Sequence, residues 1–246
     1  MTGRLAGKVA VVSGGARGMG ASHVRALVDE GAKVVLGDIL DAEGEVVAKE
    51  VGDAARYVHL DVTQPDDWGL VVATAVEQFG GVDILVNNAG IINVGLIEDY
   101  ELSEWHRILD INLTGVFLGI RAVVKPMKAA GRGSIINISS IGWMVPSVGM
   151  PVYVTAKAAT VGLTRTLAHE LGRANIRVNT VLPGAIVTER QERLWFTPEY
   201  KAEILANQAI KRHLEPADVA LLVLFLAADD SGAITNQSYI VDGGWA

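Results

Sequence analysis

The chain has 246 residues, a formal net charge of -7, half of its residues hydrophobic and no cysteine. That length suits one α/β domain with a sizeable core, and the acidic balance argues against a nucleic-acid or anionic-membrane partner, either of which would want a concentrated Lys/Arg surface. The missing cysteine removes disulfides, thiolate metal sites and a cysteine nucleophile.

The first residues lack the apolar core of a secretory signal, and the longest apolar run, residues 219–228, is too short to span a bilayer. A cytoplasmic protein acting on a small molecule is the expectation. The β-branched run at residues 8–12 reads as a strand, followed by Ser13-Gly14-Gly15-Ala16-Arg17-Gly18-Met19-Gly20 and a helical pattern that ends near Gly31. Strand, glycine turn and helix together let a bare backbone approach a pyrophosphate, whose charge meets the N–H groups and positive dipole end of the helix. A second strand, residues 33–37, ends at Asp38, near the separation expected for an acid that accepts hydrogen bonds from ribose hydroxyls. A 2′-phosphate there would face a fixed carboxylate, so Asp38 favours NAD over NADP. Arg17 argues weakly the other way, or is a solvated loop charge.

A helix over residues 41–51 leads to a strand at 56–60 and then to Asp61 and Val62, where Asp61 either reaches the adenine amino group or serves as a turn acceptor. Pro65, Asp66 and Asp67 read as a helix start. The fourth strand, residues 83–86, runs into Asn87-Asn88-Ala89-Gly90, small and polar where a cofactor ribose could pass. A long helix over about 103–127 holds Asn112 beside Leu113, Thr114 and Gly115, poor interior choices that predict either a local distortion or a packed polar side chain. The fifth strand, 133–138, delivers Ser139 and Ser140 to its carboxyl end, where open α/β sheets bind ligands.

The next helix, residues 152–171, carries Tyr153 and Lys157, four apart and so on one face. Using a phenol with a pKa of about 10 as a base near neutrality means lowering it by roughly 3 units, about 4 kcal/mol. One cation at about 4 Å and an effective dielectric of about 20 supplies roughly that amount. Chance spacing of a surface Tyr and Lys is the plain alternative. A sixth strand at 176–181 ends in Pro183-Gly184, and an insertion at about 185–210, with Trp195 and Phe196, suits a substrate lid. The helices at 152–171 and 219–228 are apolar on more than one face, which predicts subunit interfaces. A last strand covers 238–241. None of His23, His59, His106, His169 and His213 forms a close ligand pair, so no metal is expected.

Together these features resemble the short-chain dehydrogenase/reductase family over essentially the whole chain. The family's glycine turn falls on Ser13 to Gly20, its ribose acid on Asp38 and its Asn-Asn-Ala-Gly turn on Asn87 to Gly90. Its catalytic positions fall on Asn112, Ser140, Tyr153 and Lys157. Its Pro-Gly segment and following Thr fall on Pro183, Gly184 and Thr188. The resemblance implies a single-domain Rossmann-like, doubly wound, seven-stranded parallel sheet spanning 1–246, with helices on both faces, assembled as a homotetramer. It implies NAD held by Gly14, Arg17, Gly18, Met19, Gly20, Asp38, Asp61, Val62, Asn88, Ala89, Gly90, Tyr153, Lys157, Pro183, Gly184 and Thr188. Hydride would pass between a secondary alcohol or ketone and the nicotinamide. Tyr153 would be the base, Lys157 would lower its pKa, Ser140 would hold the substrate oxygen and Asn112 would anchor a water. Gly142, Trp143 and Trp195 would join Ser140 and Tyr153 in contacting substrate.

Up to about Ser140 the chain is similar to bacterial 3α/20β-hydroxysteroid dehydrogenases. Beyond it, through Thr188-Glu189-Arg190-Gln191 and Asp242-Gly243-Gly244-Trp245, it is similar to bacterial aldose dehydrogenases. Sugars, polyols, hydroxysteroids and other cyclic alcohols all remain open. A non-catalytic NAD(H)-sensing protein on the same fold is the alternative from a different class.

Overall fold

Alternation along the first strand, β1 (Val9–Ser13), sets up both halves of the core. Ala10 and Val12 point into one apolar cluster and Val9 and Val11 into the other, as the two-residue period of a strand requires. A strand buried on both faces needs helices on both sides, and parallel partners joined by crossovers provide them. The computed structural model describes residues 3–246. In it the remaining strands are β2 (Lys33–Asp38), β3 (Ala55–His59), β4 (Ile84–Asn87), β5 (Gly133–Ile138), β6 (Ile176–Pro183) and β7 (Ser238–Val241), in the spatial order β3-β2-β1-β4-β5-β6-β7. Every neighbouring pair is parallel. The expected seven-stranded, doubly wound sheet is therefore the observed one.

The helices are α1 (Gly18–Asp29), α2 (Asp41–Val51), α3 (Pro65–Phe79), α4 (Leu102–Leu109), α5 (Gly115–Ala130), α6 (Pro151–Leu171), α7 (Glu189–Leu194), α8 (Pro198–Asn207) and α9 (Pro216–Ala227). None of the described helices is long and apolar enough to cross a membrane. The helix expected over 103–127 is divided: α4 and α5 are joined by a π-helical turn at Asp110–Thr114 that contains Asn112. The expected distortion is thus present, and Asn112 is fully buried within it. The insertion after β6 folds into α7 and α8.

The apolar surface of α9 is largely satisfied inside the chain. Val219, Ala220, Val223, Leu224, Leu226 and Ala227 are buried against α1 and the sheet, while Leu221 is 65% exposed. Its sequence pattern therefore has a sufficient cause within one subunit.

The reversal of strand order lies between β1 and its two neighbours, β2 and β4. Register places Ser13 beside both Gly37 and Asn87, and Asn87 beside Asn137, so the carboxyl ends of these strands form a common edge with a crevice at the reversal. Beneath that edge a buried polar chain ties the layers together. Asn87 Nδ2 donates to Asn137 Oδ1 (2.8 Å), Asn137 Nδ2 to Thr164 Oγ1 (2.9 Å), and Thr180 Oγ1 to Thr164 Oγ1 (2.8 Å).

His23, in α1, is fully buried with neither ring nitrogen hydrogen-bonded, and burial pushes its pKa from 6.5 down to about 3. The unfolded chain takes up this proton below about 6.5 and the native chain does not, so the stability His23 permits is present above that value and lost as pH falls. Between about pH 6.5 and about pH 4 the loss is on the order of 3 kcal/mol. Urea unfolding of wild type and His23→Leu across that range measures it: the variant should lose distinctly less stability on acidification, and parallel curves would refute the assignment.

Candidate active site

The glycine turn is shaped by what it touches. Gly14 and Gly15 donate backbone hydrogen bonds to the Gly37 carbonyl (2.8 and 3.2 Å), which anchors the turn to β2. Gly14 has φ +67°, and a Cβ there would lie 2.8 Å from Ala89 Cα. A Cβ on Gly20 would overlap the Gly14 carbonyl, so the turn and the first turn of α1 close up only without side chains. Ser13 Oγ accepts from the Asn88 and Ala89 backbone N–H groups (3.1 and 3.2 Å), and Asn88 Nδ2 donates to the Ser13 and Gly14 carbonyls (3.1 and 3.0 Å). The two segments singled out in the sequence, 13–20 and 87–90, are thereby one structure.

Three features of this crevice fit a dinucleotide. Asn88 Oδ1 is buried without a hydrogen-bond partner. The N-terminus of α1 has no side-chain cap and no acid in its first turn, with Gly18, Met19 and Gly20 as its opening residues. Asp38 sits half-buried at the end of β2, its carboxylate accepting from Ala16 N (3.1 Å) and Leu40 N (3.2 Å) and paired with no cation among the described residues. Asp61 holds the turn it begins, its Oδ1 accepting from both Thr63 N (2.9 Å) and Thr63 Oγ1 (2.8 Å). The Val62 side chain is buried beside Gly115, and its carbonyl accepts from Trp68 Nε1 (3.0 Å).

The other wall of the crevice is built by the π turn, β5 and α6. Asn112 Nδ2 donates to the Ile91 and Ile108 carbonyls (both 3.0 Å), and its Oδ1 accepts from Ile91 N (3.3 Å). Holding the i−4 carbonyl with a side chain is what the wide turn permits. Gly90 lies over this group: a Cβ there would be 2.7 Å from Asn112 Oδ1 and 3.3 Å from Lys157 Nζ. Asn112, Gly90 and Lys157 are therefore contiguous.

Ser140 closes the end of β5, with its Oγ accepting from Gly142 N (3.0 Å). That leaves its one O–H as a donor, directed at Tyr153 in the free protein. Tyr153 stands near it, on the first turn of α6. Burial raises the Tyr153 pKa above 10.0, and a hydrogen bond from Ser140 pulls it partly back. Lys157 is 3% exposed, and burial lowers its pKa from 10.5 to about 8.

Lys157 Nζ donates to the Ile138 carbonyl (3.0 Å) and lies 5.7 Å from the centre of the Tyr153 ring, so the ammonium sits between a strand carbonyl and the face of the phenol. The helical spacing does bring the two side chains together. A neighbouring strand carbonyl takes the ammonium, and spacing along one helix cannot reveal that competitor. Ser139 reinforces the arrangement by donating from Oγ to the Lys157 carbonyl (2.7 Å).

Pro183 and Gly184 end β6, where Gly184 N donates to the Val241 carbonyl (2.9 Å). Thr188 caps α7, with Oγ1 accepting from Gln191 N (3.3 Å), and its methyl group lies 3.4 Å from where a Cβ on Gly18 would be. The insertion thus starts against the glycine turn. Of its two aromatics, Phe196 is buried with an edge-on contact to Tyr200 (5.6 Å), whereas Trp195 is 37% exposed. Trp143, just past Ser140 and Gly142, is 38% exposed.

The far end of the insertion rests on residues that sequence reasoning left unassigned. Ala209 N and Ile210 N donate to the Gly244 and Gly243 carbonyls (3.3 and 2.9 Å), while Asp242 accepts from Gly244 N (2.8 Å) and Ala246 N (2.7 Å). The run Asp242-Gly243-Gly244 was the available signal, since it announces a tight turn needing a partner. No group of His, Asp or Glu that could hold a metal ion is found among the described residues.

The chain has relatives over essentially its whole length. A family model described as enoyl-(acyl carrier protein) reductase matches residues 14–246. A 3-alpha-(or 20-beta)-hydroxysteroid dehydrogenase of Mycobacterium tuberculosis is 59% identical over 244 residues, covering 99% of this chain and 91% of that protein. A trans-4-hydroxycyclohexanecarboxylate dehydrogenase of Sinomonas cyclohexanicum is 44% identical over 250 residues, covering 98% and 93%. A crystal structure from Agrobacterium tumefaciens, provisionally assigned as a gluconate dehydrogenase, superposes with a TM-score of 0.93 at 32% identity, covering 98% of this chain and 96% of that one. The division into a steroid-like first half and a sugar-like second half does not hold. The hydroxysteroid dehydrogenase matches from end to end, and the short motifs beyond Ser140 are too few to outweigh it.

Proposed function

Because the chain belongs to the short-chain dehydrogenase/reductase family, NAD(H)-dependent oxidoreductases of secondary alcohols and ketones, we propose that it oxidises an apolar cyclic secondary alcohol, or reduces the matching ketone, at the crevice beside Tyr153. The observation that carries this reading is the convergence of Ser140, Tyr153, Lys157 and Asn112 on the same sheet edge as the glycine turn and Asp38.

Bound along that edge, the nicotinamide supplies the hydride chemistry. The chain's own groups handle the proton. Ser140, its oxygen already accepting from Gly142 N, donates its O–H to the substrate oxygen. Tyr153 takes the hydroxyl proton in oxidation and returns it in reduction. Lys157, with one N–H on Ile138 and two others free, holds the cofactor ribose and adds positive charge beside the phenol when it turns from the carbonyl. Asn112 and Gly90 back it. Asp38 accepts the adenosine ribose hydroxyls and disfavours a 2′-phosphate, which makes NAD the preferred cofactor.

An apolar substrate is favoured by the surroundings. Trp143, Met144, Val148 and Trp195 are 38%, 42%, 86% and 37% exposed around the segment between Ser140 and α6 and on the lid. A sugar would want several fixed hydrogen-bond partners there. A homotetramer in the cytoplasm completes the reading.

The test is an absorbance assay with NAD+ and NADP+ against a hydroxysteroid, a hydroxycyclohexane carboxylate, a simple cyclic alcohol and an aldose. Turnover should appear with NAD+ and the ring alcohols, and Asp38→Ser should narrow the gap to NADP+. Oxidation of the aldose alone would overturn the substrate class. Tight NADH binding without any turnover would favour a sensing role.

A further inference from the structure

Arg190 is half-buried on α7, two residues past Thr188. Thr188 sets the start of that helix against Gly18, the first residue of α1, and Arg17 is the N-cap of the same helix. The lid and the cofactor turn therefore meet with an arginine on each side. Arg193 follows Arg190 one turn later in α7.

Arg4, Arg25, Arg107, Arg132 and Arg212 each pair with a carboxylate. Arg17, Arg190 and Arg193 pair with none among the described residues. Burial, and then the like charges of Arg17 and Arg193, hold the Arg190 guanidinium below its ordinary value. Cations gathered around the positive end of α1, which itself has no acid in its first turn, repel one another until an anion joins them.

We propose that Arg190 is a phosphate-binding residue for the dinucleotide, carried on the lid and acting with Arg17 on the diphosphate at the α1 N-terminus. Cofactor binding then holds the lid against the glycine turn, so the site assembles from both sides. The inference rests on the NAD(H) reading above and adds a contact that neither the glycine turn nor Asp38 supplies. Arginine suits the task because its planar fork matches phosphate oxygens in pairs.

Calorimetric titration of the full chain with NADH, NADPH, ADP-ribose and adenosine distinguishes the sources of anion. Arg190→Ala should weaken NADH and ADP-ribose alike, by about ten-fold or more, and leave adenosine unchanged. Arg190→Lys should recover part of the loss. Limited proteolysis in the lid adds a second readout: NADH should protect the wild-type lid and fail to protect the alanine variant's. Unchanged ADP-ribose affinity, an equal loss for adenosine, or a loss confined to NADPH, which would place the contact on the 2′-phosphate, each overturns the proposal. So does a loss seen only in KM for a carboxylated substrate. Failure of the wild-type chain to bind NADH would instead overturn the functional reading itself.

Discussion

Tyr153→Phe should bind NADH as tightly as the wild-type chain and lose turnover by about a hundred- to ten-thousand-fold, the range one positioned general acid–base supplies. The substitution removes one oxygen from a residue seated on the first turn of α6 and leaves the ring, and hence the packing beside Lys157, in place. The cofactor groups on the far wall, Asn88, Asp38 and the α1 N-terminus, do not touch that oxygen. Only proton transfer should fail. Burial makes the phenol a poor base in the free protein, raising its pKa above 10.0 while a hydrogen bond from Ser140 pulls it partly back. Catalytic ionisation therefore needs a positive charge to join it, from Lys157 turning away from Ile138 or from the oxidised cofactor. Stopped-flow absorbance, with NADH affinity measured separately, checks both halves of this expectation. Near wild-type rates in the variant would remove Tyr153 from the mechanism.

Lys157→Met should abolish most turnover and yet leave the cofactor-free protein at least as stable near neutral pH. A buried lysine with its pKa lowered from 10.5 to about 8 is held charged at a cost of about 3 kcal/mol in the native state. Methionine avoids that cost but leaves the Ile138 carbonyl without its donor, a loss of about 1–3 kcal/mol. The net change is small, against the several kcal/mol normally lost when a buried hydrogen-bonding side chain is removed.

The pH dependence is the sharper signature. Between about 8 and 10.5 the unfolded chain holds a proton on this lysine that the native chain has given up, so wild-type stability should rise with pH through that window. Tyr153 works in the opposite sense higher up: its raised pKa means the native chain keeps a proton that the unfolded chain releases above about 10, and stability then falls. Denaturant unfolding at several pH values, without cofactor, should show the rise in wild type and not in Lys157→Met. A variant that unfolds far more easily, or that keeps the rise, would show that Lys157 is not the strained group.

Features demanded by local backbone geometry could be read from the sequence. Gly14 and Gly20 announce a close approach because no other residue fits it, Asp38 follows from the length of one strand–helix–strand unit, and Asn112 beside Gly115 betrays the widened turn. Sequence order also placed Ser140 and Tyr153 correctly, since both sit where a strand ends or a helix begins. Features decided by tertiary competition could not be read. The Lys157 ammonium goes to Ile138 because β5 passes beside α6. Phe196 turns inward onto Tyr200 while Trp195 does not. In the sequence Arg190 stands only within the Thr188-Glu189-Arg190-Gln191 motif, and its place near the glycine turn follows from the contact of Thr188 with Gly18. The substrate signature misled for another reason: short polar and aromatic motifs near the end of the chain carry little weight beside an identity that spans 99% of it.

The most direct test of the proton-transfer account is the pH profile of kcat/KM for a cyclic secondary alcohol at saturating NAD+. The account gives a rate that climbs with pH along a limb of unit slope, set by a single group that must lose its proton, and a limb that vanishes with the rate in Tyr153→Phe. A rate independent of pH from the acid to the alkaline side, or a limb that survives in the phenylalanine variant, would contradict it.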